Sequence, residues 1–330
     1  MNGHDLPPPL ARRWGGLAHI RRRSRYEWSS ECPRCRDDGH DYRKGPPDRF
    51  HMHYGDGGSP RGACRRCGYF SFADEGVEDP PTPDELAAYR LAALKRKRSE
   101  EQARQALLSA LDRDRWYEKF AANMDADARL LWRRAGVPDE LQVRLSLGYT
   151  DRKPYSYMDE LYYSPALTIP HFGPGWKPLN VQYRLLDPVE GAGKYRPTAG
   201  LLMPVYLTDP DEDLSGELLV VEGAKKAIVT YLTMVLQGNI TRWKVVGLPA
   251  KEVSPYQAEM LAPASTIWVL LDPDAGESPI GDSILGKVVD TLGRERCYTV
   301  CLPAKVDDMI MAGQLSGRQL MERLLTARKA

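Results

Sequence analysis

Two groups of side chains in this 330-residue chain have types and spacing that could do chemistry. Cys32-Pro33-Arg34-Cys35 and Cys64-Arg65-Arg66-Cys67 are both Cys-x-x-Cys turns. Such a turn sets two thiolates one tetrahedral edge apart, so two turns make a four-sulfur zinc site, and one structural Zn2+ is expected on Cys32, Cys35, Cys64 and Cys67. The stretch between the turns is long enough to require a hairpin; His40, His51 and His53 lie in it, but four cysteines already complete the site. The second group is acidic. Glu222-Gly223, Asp272-Pro273-Asp274 and Asp307-Asp308 each follow an apolar run. Carboxylates suit Mg2+ or Mn2+, and such ions clamp triphosphate oxygens and lower the pKa of a hydroxyl nucleophile.

The acids can act together only if the elements before them align. From Glu217 onward, four strand-like runs alternate with helical ones. The strands are Leu218–Val221, Trp243–Val246, Ile267–Leu271 and Tyr298–Leu302, with helices expected over 224–236, near 254–262, near 279–292 and near 314–328. This alternation predicts a parallel sheet covered on both faces. Ligands of such sheets bind beyond the carboxyl ends of the strands, where all three acidic points fall. Upstream, Ala166–Ile169, Val181–Leu185 and Val205–Leu207 read as strands of a mostly antiparallel subdomain. Residues 124–147 read as two short helices meeting at Gly136-Val137-Pro138, and 84–120 as one or two exposed helices.

The expected class is multidomain α+β: a small N-terminal zinc ribbon, linker helices, then a mixed α/β subdomain leading into an α/β parallel-sheet core. The boundaries run as a basic and partly disordered segment (1–28), the ribbon (29–76), linker and helices (77–120), the mixed subdomain (121–215), the parallel-sheet domain (216–312) and a terminal helix (313–330) that caps the fold or docks a partner. The formal net charge is only +1, so cations matter by position. Arg34, Arg36, Arg65 and Arg66 interleave with Tyr69 and Phe70 around the cysteines, which favours nucleic acid, since cations meet phosphates and aromatic faces stack on bases. Arg21, Arg22, Arg23 and Arg25 form one further basic run and Lys95, Arg96, Lys97 and Arg98 another. No apolar run reaches the ~18–20 residues of a membrane span, and no secretory signal opens the chain, so a cytoplasmic location without structural disulfides is expected. Cys297 and Cys301 then read as core residues beside the last strand.

The order of motifs resembles the DnaG-type and bacteriophage DNA primases. Val220-Val221-Glu222-Gly223, Leu271-Asp272-Pro273-Asp274-Ala275-Gly276 and Lys305-Val306-Asp307-Asp308 are similar to the TOPRIM domain of that family. Ala128 to Val137, continuing to Leu147-Gly148-Tyr149, looks like the helical entry to its polymerase domain. Asn180–Arg184 and Gly193–Arg196 resemble its two basic motifs, and Val246-Gly247-Leu248-Pro249 resembles its glycine turn. The resemblance spans roughly residues 29–325. It implies synthesis of short RNA primers on single-stranded DNA from ribonucleoside triphosphates. Glu222 would be a general base or metal-linked acid. Asp272 and Asp274 would hold Mg2+ or Mn2+ with Asp307 or Asp308. Arg184, Lys194, Tyr195, Arg196 and Lys225 would line the track for template and nucleotide. A replicative helicase would come from a separate chain.

Two positions depart from that pattern. Lys226 stands where many primases carry an acid four residues after the glutamate, and Lys305-Val306 stands where the last motif often has another. Weaker metal affinity, a preference for Mn2+ or lost activity is the expected consequence. A non-catalytic DNA-binding mediator of RecR type, or a TOPRIM nuclease, are the alternatives. Gly281–Lys287 mimics a P-loop, but Val288 replaces its hydroxyl residue and the stretch lies within an expected helix, so it reads as coincidence.

Overall fold

The computed structural model describes residues 6–17, 19–23, 27–37, 49–55, 58–64, 67, 69–72, 83–158, 160–275 and 284–330. Two compact units divide it, Met1–Arg96 with Met158–Glu160, and Lys97–Tyr157 with Leu161–Ala330. No described helix is long and apolar enough to cross a membrane.

The first unit is a five-stranded sheet in sequential order. Helix α1 (Pro8–Trp14) precedes β1 (Arg21–Arg22) and β2 (Glu27–Ser30); α2 (Pro33–Asp37) follows; then come β3 (Phe50–Gly55), β4 (Gly58–Cys64) and β5 (Phe70–Phe72). The β3–β4 pair is the hairpin that the cysteine spacing required. The segment before residue 29 is not a mere basic tail. Leu6, Leu10, Trp14 and Trp28 share one buried cluster with Phe50, Met52 and the cysteines. A Cβ on Gly62 would lie 2.2 Å from the Phe50 ring, so the glycine on β4 is what lets that ring pack flat on the sheet.

Helix α3 (Pro83–Arg113) begins in the first unit and runs into the second, where α4 (Trp116–Ala122), α5 (Ala126–Arg134) and α6 (Asp139–Arg144) lead into β6 (Gly148–Tyr157), β7 (Glu160–Gly173), β8 (Lys177–Leu185) and β9 (Tyr195–Pro197), a four-stranded sheet in that order. Asp125 caps α5 by accepting from the Ala128 N–H at 2.7 Å. The strand β6 had no counterpart in the sequence reading, because its alternation is broken by Asp151, Arg152, Lys153 and Pro154.

A six-stranded sheet follows, made of β10 (Tyr206–Leu207), β11 (Gly216–Glu222), β12 (Lys244–Leu248), β13 (Ala264–Leu270), β14 (Cys297–Thr299) and β15 (Arg328–Lys329), in the order β10-β12-β11-β13-β14-β15. The four inner strands are parallel; both edge strands are antiparallel. Helices α7 (Ala224–Tyr231), α8 (Pro255–Met260), α9 (Ile284–Leu292), α10 (Val306–Met311) and α11 (Gly317–Leu325) accompany it. Alternate residues of β11 enter different cores: Leu219 and Val221 join one, Leu218 and Val220 the other. All four are fully buried, as expected for a strand covered on both faces.

Several expectations are corrected. Tyr206-Leu207 belongs to this sheet, pairing with Val246 and Gly247, and not to the antiparallel subdomain. Gly247 lies on a strand, not in a turn. The third inner strand starts at Ala264, and the fourth ends at Thr299; Cys297 is buried there but Cys301 is exposed. Helix α7 ends at Tyr231 and continues as a π-turn over Leu232–Gln237. The terminal helix stops at Leu325, and the chain returns as β15 to close the sheet edge. Residues 276–283 lie outside the described residues, which takes in most of the expected start of α9 and Gly281, Asp282 and Ser283 of the P-loop mimic; Ile284 to Lys287 are helical.

Candidate metal centre and acidic pocket

The four cysteines of the first unit converge. Their sulfur atoms all lie within 4.8 Å of one another, with Cys32 Sγ 3.7 Å from Cys67 Sγ and Cys35 Sγ 3.8 Å from Cys64 Sγ. A tetrahedron with Zn–S bonds of ~2.3 Å has edges of ~3.8 Å, so the site has the dimensions for a zinc ion. Burial pushes the Cys35 thiol up to about 11 and the Cys32 thiol higher still. Such thiols give up their protons to a dication, not to water. Among the described residues no histidine joins the cluster; His51 Nδ1 instead contacts Glu27 at 2.6 Å. Arg34 is exposed, whereas Tyr69 is half-buried with its ring 5.9 Å from that of Phe50. Arg65 and Arg66 lie outside the described residues.

The acids of the second unit gather where the sheet reverses its winding. The chain passes from β11 to β12 on one side and on to β13 on the other. That reversal opens a crevice at the carboxyl ends of β11 and β13. Val221 pairs with Leu270, so Glu222 and Asp272 emerge almost level from adjacent strands. Asp307 and Asp308 occupy the first turn of α10. Two glycines fix the turn after Glu222. Gly223 has φ +84, and its N–H donates to Leu248 O at 2.6 Å. A Cβ on Gly247 would lie 2.8 Å from Gly223 O. Gly247 must therefore lack a Cβ to let the Gly223 carbonyl approach, while Gly223 is called for by its positive φ.

One pocket is lined by Glu222, Asp272, Asp307 and Asp308 together with Lys225, Lys226, Lys305, Gln182 and Tyr195. Lys226 Nζ lies 2.7 Å from both Asp272 oxygens, and Lys305 Nζ lies 3.6 Å from Asp272 Oδ2. Lys225 Nζ lies 2.5 Å from Asp307 Oδ2. Glu222 Oε2 and Asp307 Oδ1 are buried without a hydrogen-bond partner. Burial raises the Glu222 carboxyl above the usual range, against the opposing pull of Lys226.

Of the remaining expected site residues, Asp274 is exposed and ion-paired with Lys251, which holds its carboxyl below the usual range; it does not line the pocket. Arg184 pairs with Tyr195 across β8 and β9, but Arg184, Lys194 and Arg196 are not among the lining residues. The Arg196 guanidinium sits 5.8 Å from the Tyr155 ring. The roles of Lys226 and Lys305 as partners of Asp272 were missed; the sequence signal was the replacement of expected acids by lysines.

No protein-family model and no curated protein sequence matches this chain. Solved structures do. The Aquifex aeolicus primase, in its zinc-binding and RNA polymerase domains, matches with a TM-score of 0.50 and 14% identity, covering 93% of this chain and 80% of that one. The DnaG primase catalytic domain bound to ssDNA matches with a TM-score of 0.50 and 14% identity, over 69% of this chain and 80% of that one. The fold is that of the primase zinc-binding and RNA polymerase domains. In this primase fold an N-terminal sheet with a cysteine cluster precedes helices and sheets, which bears out the expected fold class.

Proposed function

We propose that the chain is a DNA primase, a nucleotidyltransferase that joins ribonucleoside triphosphates into short RNA primers on a single-stranded DNA template. The convergence of Glu222, Asp272 and Asp307 with three lysines in one pocket, at the point where the sheet reverses its winding, carries this reading. The donor set fits Mg2+ or Mn2+: it is all carboxylate, and two buried oxygens, on Glu222 and Asp307, await a partner. Glu222, Asp272, Asp307 and Asp308 would hold the ion, whereas Asp274 is held by Lys251 and does not line the pocket. Bound there, it would neutralise triphosphate oxygens and acidify the 3′-hydroxyl. Glu222 is suited to take the proton of that hydroxyl, since burial makes its carboxylate more basic. Lys225, Lys226 and Lys305 supply cations for phosphate oxygens, and Tyr195 offers an exposed aromatic face at the rim. Arg184, Lys194 and Arg196 would guide the template outside the pocket, Arg34, Arg65, Arg66 and Tyr69 would contact DNA at the zinc site, and a separate helicase would present the strand.

The test is incubation of the protein with single-stranded oligonucleotides, labelled ribonucleotides and Mg2+ or Mn2+, resolved on a sequencing gel. Short template-dependent RNAs that vanish in Asp272→Ala are expected. The pairing of Asp272 with Lys226 and Lys305 favours one second reading, a DNA-binding mediator without catalysis. Tight binding of single-stranded DNA with no incorporation under either metal would decide for it.

A further inference from the structure

The pocket is close to charge-balanced by its own side chains. Among the described residues four carboxylates and three ammonium groups line it, and the innermost are hidden from water: the side chains of Asp272, Asp307 and Lys226 are 7%, 3% and 13% exposed. Buried charges survive only when paired, and Lys226 on Asp272 and Lys225 on Asp307 provide the pairing. It is incomplete, because Asp307 Oδ1 and Glu222 Oε2 keep no partner. An ionised carboxylate only accepts, so these two oxygens call for a cation or a donor.

A dication entering alone must compete with Lys226 and Lys225 for Asp272 and Asp307. Each ammonium it displaces is left buried without a counter-ion. A polyphosphate entering alone faces the converse cost: drawing the lysines to itself strips Asp272 and Asp307 of their partners. When both enter, the ion pairs are exchanged and none is stranded. We infer that the pocket takes a divalent cation and a polyphosphate only together, by partner exchange: Lys225, Lys226 and Lys305 pass from the carboxylates to phosphate oxygens as the cation takes the carboxylates. Lys226 is the positioning residue of this exchange, since it touches both oxygens of Asp272. The inference deepens the reading of the pocket as a nucleotide site and rests on it for the choice of polyphosphate.

Coupling of this kind is reciprocal and measurable without any reaction. The full chain, loaded with zinc, is titrated with Mn2+ alone, with inorganic triphosphate alone, and with the preformed Mn2+–triphosphate complex. Mn2+ is followed by the loss of its free electron-spin resonance signal and triphosphate by calorimetry. The complex is expected to bind about 30-fold or more tighter than triphosphate alone, with Mn2+ alone weak. Lys226→Met frees Asp272, so Mn2+ alone should bind about tenfold tighter while the advantage of the complex shrinks. Lys305→Gln, at a half-exposed position, should move both readouts the same way by less. Mn2+ binding the wild type as tightly as it binds both variants, or triphosphate binding with full affinity without metal, would overturn the exchange. The two readings separate cleanly. Coupled binding without primer synthesis upholds the exchange and sinks the primase; primer synthesis with uncoupled binding that ignores Lys226 does the reverse.

Discussion

The cysteine cluster and a buried histidine both set a lower limit of pH. Burial makes the Cys32 and Cys35 thiols hold their protons tightly, so zinc binding must release them. Zinc affinity is therefore expected to fall steeply as pH drops from 8 to 6, with proton release visible when calorimetry is repeated in buffers of different ionisation heat. Cys35→Ser should abolish it. His171 is fully buried on β7, with its ring 5.1 Å from that of Tyr206, and burial lowers its pKa to about 4. The unfolded chain takes up this proton near pH 6.5 and the folded chain does not. The stability that His171 contributes is thus whole above pH 6.5 and is lost as pH falls toward 4, by roughly 3 kcal/mol. Urea unfolding across that window should show the loss, and His171→Phe should flatten it. The His171 effect had no signal in the sequence, since burial of a lone histidine depends on which strand crosses it.

Among the elements, the turn from β11 into α7 is the most demanding. Gly223 and Gly247 press together behind Glu222, so Gly247→Ala must push the turn outward and shift the glutamate. Primer synthesis is expected to drop by about 100-fold or more, while thermal stability falls only by ~1–3 kcal/mol. A loss of synthesis no greater than the loss of folded protein would refute the positioning role. The terminal helix α11 caps the sheet: Leu320 and Leu324 are buried, and Trp268 Nε1 donates to Leu324 O at 3.0 Å. Leu320→Ala should cost ~2–5 kcal/mol in urea unfolding. The inner strands of this sheet were legible because strands buried on both faces read as unbroken apolar runs. Strand β6 was not, because Arg152, Lys153 and Pro154 break its alternation, nor was β15, a two-residue edge strand without a period; Val205–Leu207 read as a strand, but its place at the edge of this sheet did not.

For the molecule as a whole, the division into two units predicts two unfolding events. The unit with the cysteines has a small core and is expected to melt when zinc is chelated, while the unit beginning at Lys97 keeps its transition. Calorimetry with and without a chelator checks this; one transition that moves as a whole would refute it. With a net charge of +1 the proposed DNA binding would rest on local cations, and it is then expected to weaken steeply with salt.

By itself the sequence determined the four-cysteine cluster, the alternation of strands and helices, and the acids at strand ends. Each is written in local spacing: two residues between thiols, a period of two or an apolar run in a strand, an acid just past its end. The long-range pairings were decided only by tertiary structure. Asp272 meets Lys226 across 46 positions, Asp307 meets Lys225, and Tyr206 crosses to β12, because the order of strands in a sheet is set by packing and not by any neighbour in the chain. That is why the acids were legible as candidate metal ligands, while the lysines that hold two of them were legible only as missing acids.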